Sequence, residues 1–498
     1  MSVDVNTQYG LDEIRRSEDQ SAELQRIVEK HQGEEIVIPP GPPGLYHISG
    51  VELPPDTYLR GHATMIHSNR DKKEFNECFI IQDQGLVTID GFSFDGRLTE
   101  QEWEGGNQSD PSEKYWHLEH RCAIRMRSQG HNGVVGASIS NCRFMNFTGD
   151  GIYCQSYSNL MLRDCFAIDC HRGAVTIGGR TTANINGLHC SGTRDFPTGI
   201  YFETHGKHPI DVQMSNVTVE GRFKVECTPG SRIQIDNLKL LVGRHNPTTQ
   251  HFMITGSGHM QVSNSYFESP HCRIHGAGNL TFTGCHFVNT GQANRKVPGG
   301  RTGISYRWKN ESGDRRDQLL KFQGCVFRSG ESPLGYAAFY SFLKNVPDRN
   351  CRLAVSDCDV SGYHYGFVSD RGCNLEVHNS RIEASVAFAL KWKSSRGRFL
   401  KLNVKQSDFI CDQYLWIKGD HTSNRFHHDG VWIPESALSR RLFDPEARVT
   451  GGLDIVCTNS PIGRDVPGRP GDRLHHNGRI WRCERGGFTS EPVDRFLT

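Results

Sequence analysis

No stretch of this 498-residue chain approaches the ~20 consecutive apolar residues of a membrane helix, and the mean hydropathy is −0.55. A bundle of membrane-spanning helices is therefore excluded. Residues 1–20 lack the apolar centre of a secretory leader, so none is expected. That leaves a cytoplasmic, a virion-associated or an otherwise exported location open. Excess charge is lacking too: 57 Lys and Arg stand against 56 Asp and Glu, a net +1. Such a balance provides no global field for a polyanion, so neither nucleic acid nor membrane is an expected partner. There is no Cys-x-x-Cys pair, and a structural zinc site is not indicated. Amphipathic helix signals are nearly absent after residue 30, which argues against helical bundles and α/β folds. What is plentiful is glycine, 53 residues, above the usual ~7%. The 17 cysteines are an odd number for a disulfide framework. Several recur at equivalent places in a repeat, and most are expected to be reduced, buried small hydrophobes.

That repeat is a short phrase: apolar, spacer, Asn/Asp/Gly, small or apolar, spacer, apolar. It appears as ISNCRF (139–144), LRDCFA (162–167), INGLHC (185–190), MSNVTV (214–219) and IDNLKL (235–240). It continues as VSNSYF (262–267), FTGCHF (282–287), FQGCVF (322–327), VSDCDV (355–360), VHNSRI (377–382) and VKQSDF (404–409). The anchors are Asn141, Asp164, Asn186, Asn216, Asn237, Asn264, Gly284, Gly324, Asp357, Asn379 and Gln406, never fewer than 20 residues apart. A floor with variable excess means a fixed rung with insertions in loops.

Each phrase alternates apolar and polar, the period of a strand with one buried face. A second short strand usually follows, as in GIYCQ (151–155), GIYFE (199–203) and FKVEC (223–227). Short strands repeating without helices predict a solenoid of stacked parallel strands, a right-handed parallel β-helix. The rival, a β-propeller, needs ~40–50 residues per blade, more than the floor observed. Ser21–Lys30 is the one clear helix, opened by Asp19 or Ser21 and apolar at Leu24, Ile27 and Val28. It is expected to cap the open end of the solenoid. The expected divisions are 1–34, an N-terminal segment with that helix; 35–459, the β-helix; and 460–498, a small β element with a hairpin turn at Asn477-Gly478. Polar insertions at 96–120 and 288–318 are expected to wall a groove or make a subunit contact.

The segment 19–66 resembles the N-terminal capping region of the pectate-lyase-like superfamily. The residues that carry the likeness are Asp19, Ala22 and Gln25, the strand Ile36–Ile38, Pro39–Gly41, Tyr46, Ile48 and Leu59–Gly61. With the rungs, the resemblance covers about residues 19 to 460. It implies a right-handed parallel β-helix and a carbohydrate-active protein: polysaccharide lyase, glycoside hydrolase, uronan epimerase or tailspike depolymerase. The polygalacturonase motif set is absent, as are the Asp-Pro-His-Asp of alginate epimerases and the calcium box of classical pectate lyases. Fold alone does not choose among these reactions.

Alternation along the second strands places Ile152, Cys154, Ile200, Phe202, Phe223, Val225, Phe252, Ile254, Cys272 and Ile274 inward. Tyr153, Gln155, Tyr201, Glu203, Lys224, Glu226, His251, His271, Arg273 and His275 then point outward, with Arg307 in a later coil. One outer face rich in His, Tyr and charge is expected to contact sugar through Tyr153, Tyr201, His251, His271 and Arg307. Arg and Lys neutralise uronate or sulfate, and Lys224, Arg273 or His275 is the expected base. Glu203 and Glu226 fall one coil apart in one column, ~5 Å by strand spacing. That spacing suits a retaining glycosidase pair or a divalent cation such as Ca2+. The bland alternative is a cross-coil salt bridge of Lys224 with Glu203 and Glu226. Asp150 before Gly151 favours a turn role, and His427-His428 with Asp429 favours a surface loop.

The function expected from these residues is cleavage of an anionic polysaccharide along the groove, β-elimination ahead of hydrolysis by the paired Glu. A non-catalytic, tailspike-like glycan-binding protein is the other alternative, and a homotrimer would accompany it.

Overall fold

The computed structural model describes residues 2–4, 8, 19–40, 45–68, 77–97, 121–128, 133–155, 157–192, 199–204, 208–241, 252–268, 272–276, 278–289, 302–308, 318–329, 335–341, 351–369, 374–391, 401–418, 425–437, 448–456, 472–476, 479–484 and 487–488. The chain divides into two compact units, Met1–Met260 and Gln261–Thr498. Both insertions expected to wall a groove fall mostly outside the described residues.

In the first unit each strand pairs in parallel with the strand one coil further on. Val135–Ser140 pairs with Ser158–Ile168, which pairs with Thr182–Ser191, then Asp211–Glu220, then Arg232–Leu241. The register stacks like on like: Ile89, Ile139, Leu162, Ile185, Met214 and Ile235 form one column. All six are buried. A one-residue slip would turn this column outward, so burial itself pins the register. The arrangement is a parallel β-helix.

The second unit repeats the scheme with aromatic columns. Phe282 and Phe322 stack at 5.0 Å, Phe287 and Phe327 at 4.8 Å, and Phe339, Phe367 and Phe388 at 5.0 and 5.2 Å. In-register parallel strands offset like rings by one coil, the spacing at which offset stacking is favourable.

Corners are set by the anchor residues. Asn141, Asp164, Asn216, Asn237, Asn264, Asp357, Asn379 and Gln406 adopt positive φ of 45–55°. Short polar side chains tolerate this left-handed bend best. Their amides then bond from coil to coil: Asn216 Nδ2 donates to Asn186 Oδ1 at 2.9 Å, Asn237 to Asn216 at 2.8 Å, and Asn379 to Asp357 at 2.7 Å. One anchor needs correcting. The left-handed residue of its coil is Gly187 (φ 72°), not Asn186, because Asn186 lies opposite Arg163 and Gly187 therefore opposite Asp164. A Cβ at Gly187 would come within 2.3 Å of Asp164 Oδ1.

The helix Ser21–Lys30 buries Leu24, Ile27 and Val28. Asp19 accepts the Ser21 N–H at 2.8 Å, satisfying a donor at the helix start. Gln25 lies against the strand Val51–Glu52 as a strand would, accepting the Glu52 N–H at 2.7 Å and donating to its carbonyl at 3.0 Å. In the last part of the second unit Arg473–His476 and Arg479–Glu484 pair antiparallel, with His476 opposite Arg479. Residues 477–478 lie outside the described residues. His428 is not in a surface loop. It lies in the strand Arg425–Pro434, continues the inner column after Val404 and is 1% exposed.

Candidate functional site

The second strands of the first unit stack Ile124–Met126, Asp150–Cys154, Gly173–Gly178, Ile200–Glu203, Phe223–Cys227 and Phe252–Gly256. Ile152, Cys154, Ile200, Phe202, Phe223, Val225, Phe252 and Ile254 are buried inside. The opposite row reads Arg125, Tyr153, Thr176, Tyr201, Lys224, Met253.

The middle of this row is a charged network around Tyr153. The Arg172 guanidinium lies 5.3 Å from the Tyr153 ring centroid and that of Arg125 lies 6.0 Å from it. Arg172 bridges two carboxylates, Glu203 at 2.5 Å and Asp150 at 3.4 Å. Thr176 donates to the other Asp150 oxygen at 2.8 Å. Arg125 bonds Glu77 at 2.5 Å and Gln155 at 3.1 Å. Asp150 is 1% exposed and sits in a strand, so the turn role expected for it does not hold. A carboxylate so buried requires its cation, since an unpaired buried charge is costly. Burial pushes the Tyr153 phenol above its ordinary value, against the downward pull of Arg172. Tyr153 thus stays protonated at neutral pH and is a proton donor.

Glu203 and Glu226 do not act as a facing pair. Glu203 is engaged by Arg172, from the preceding coil, and Glu226 by Lys224 on its own strand at 2.9 Å. Lys224 therefore spans no coil. Tyr201 points into the row but is only 8% exposed, because Gly173 leaves room for its ring. A Cβ at Gly173 would meet Tyr201 Cδ2 at 2.8 Å. Along the next row Gly178, opposite Glu203, lies against the backbone of the preceding coil, where a Cβ would meet the Gln155 carbonyl oxygen at 2.1 Å.

Arg273 and His275 lie on Cys272–Gly276 of the second unit, where Cys272 and Ile274 are buried and His275 pairs in register with Arg307. The Arg307 side chain, His251 and His271 lie outside the described residues. Among the described residues no group of three or more His, Cys, Asp or Glu is placed to hold a metal ion.

Sequence reasoning missed Arg172, Asp150, Arg125 and Glu77 as members of one site. The signal was hidden by phase. Asp150 pairs with Gly173, so Gly151 lies opposite Ala174 and glycine does not match glycine in these coils.

No protein-family model matches the chain, and no curated protein matches it. Among solved structures, PfbA, a surface adhesin of Streptococcus pneumoniae, aligns over 99% of this chain and 100% of its own, at a TM-score of 0.35 and 12% identity. A likeness of that degree says nothing of function.

Proposed function

We propose that the first unit binds an acidic polysaccharide across the face around Tyr153 and cleaves it by β-elimination. The observation that carries this reading is a phenol held between two guanidiniums. Arg172 and Arg125 would neutralise a uronate carboxylate, which acidifies the proton on the adjacent ring carbon. Water would take that proton, since Lys224 lies three coils, ~14 Å, along the row from Tyr153. The bond from the neighbouring carbon to the glycosidic oxygen then breaks, a carbon–carbon double bond forms, and Tyr153 protonates the departing oxygen. The same reading makes the coil right-handed and the helix Ser21–Lys30 its cap.

One observation favours a second reading, a glycan-binding protein that does not cleave. Arg172 and Lys224 already hold carboxylates at 2.5 and 2.9 Å, as suits a standing platform.

The test is a screen against uronate-rich, sulfated and neutral polysaccharides, following ultraviolet absorbance of unsaturated ends together with reducing ends. Both signals are expected to rise on a uronate polymer, and Tyr153→Phe to lower the rate about 100-fold or more. Reducing ends alone would move the chemistry to Glu203 and Glu226. Binding without either signal would establish the second reading. No binding to any polymer would overturn both.

A further inference from the structure

The second unit contains a cavity of about 440 Å3 where the corners of four coils meet, formed by Gly362 and Tyr363, residues 383–385, residues 410–412, and Pro434 with Ser436. The sequence explains why the corners stand open. The strand Asp359–Ser369 shifts register between Val360 and Tyr363, with Gly362 at φ 81°. The strand Lys401–Ile410 stops at Ile410. The strand Arg425–Pro434 stops at a proline, which has no N–H to extend the ladder, and turns into a single 3-10 turn, Glu435–Ala437. Pairing thus ends in successive coils on one side, and space remains between them.

The lining is neither a bare apolar gap nor a cluster of acids. Tyr363 is buried in its wall, tied down by its hydroxyl, which donates to the Arg328 carbonyl at 3.2 Å. Ile410 is 48% exposed, an apolar side chain left in the open beside Pro434. Two carboxylates, Glu383 and Asp412, and two hydroxyls, Ser385 and Ser436, complete it. Glu383 keeps one oxygen on Arg381 at 3.2 Å. The Asp412 N–H donates to the Ser385 carbonyl at 3.0 Å, which fixes the two side by side.

We propose that this cavity binds one or two neutral pyranose residues. Carboxylates are strong acceptors for adjacent sugar hydroxyls, serine hydroxyls serve as donor or acceptor, and an exposed Ile–Pro surface suits the C–H face of a ring. The volume lies within the ~300–1,000 Å3 of small-ligand sites. Two carboxylates repel uronate and sulfate, so the preference here is opposite to that of the face around Tyr153. The site stands apart from the cleavage reading and survives its failure.

The test titrates the full chain with cellotriose, maltotriose, mannotriose and galactotriose, and with a uronate trisaccharide, by calorimetry and saturation-transfer NMR. At least one neutral trisaccharide is expected to bind, and to remain bound when an acidic polymer is added. Asp412→Ala, which removes an acceptor, and Ser436→Phe, which fills the space, are each expected to weaken it about tenfold or more. Both positions are exposed, and unchanged thermal midpoints would show that the fold is intact. The proposal is overturned if no neutral trisaccharide binds, if binding survives both substitutions, or if the uronate displaces the neutral sugar.

Discussion

Arg172 shows how much a single side chain can hold. It sits between Asp150, 1% exposed, and Glu203, and flanks the ring of Tyr153. Arg172→Ala leaves Asp150 buried without its cation and should cost about 3 kcal/mol or more in urea unfolding. Arg172→Lys keeps the charge but loses the fork, and should fall between. Its neighbour His171 adds a pH dependence. Burial pushes the His171 imidazole down from 6.5 to about 4. Between those values the unfolded chain takes up a proton that the folded one resists. Stability present above about pH 6.5 is therefore lost as pH falls toward 4, by about 3 kcal/mol. The denaturation midpoint measured across that window should decline, and His171→Phe should flatten the decline. Arg172 did not stand out in the sequence, since its partners lie 22 and 31 residues away along the chain and only coil register brings them together.

At the scale of the strand and its corner, alternation sufficed to say which residues go inward. It did so because a strand has one period and the core tolerates no slip. The polar anchors were equally legible in Asn141, Asp164 and Asn216, where a left-handed bend admits few residue types. The exception is instructive. In the phrase 185–190 the anchor position falls on Gly187 while Asn186 stands at the spacer, and composition alone does not rank two neighbours that both form turns. Substitution does: Gly187→Ala forces a Cβ into positive φ and against Asp164, and should cost about 1–3 kcal/mol. Asn186→Ala only removes the acceptor of Asn216 on an exposed corner, and should cost about 1 kcal/mol or less. Paired denaturant titrations of the two variants would distinguish the corner from its neighbour. Side-chain pairing across coils was the illegible part. Glu203 and Glu226 share a column, yet each finds a nearer cation.

For the molecule as a whole, the described cysteines whose side chains are placed, from Cys78 to Cys483, are buried and outside any disulfide. Burial pushes the thiols of Cys78, Cys154 and Cys170 upward, so little thiolate is present to react. Alkylation of the peptides carrying Cys142, Cys165, Cys285 and Cys325, followed by mass spectrometry, should proceed only as fast as the coils open. Fast labelling in native buffer would contradict the burial described.

The paired registers also govern how such a gene can lengthen. Within Ser158–Ile168 or Thr182–Ser191, one added codon would turn every following side chain of the strand inside out. Between strands, the same codon adds to a loop and leaves the ladder on either side in step. Length variation between versions of this chain should therefore gather between strands, and the strands should keep their size while the loops drift.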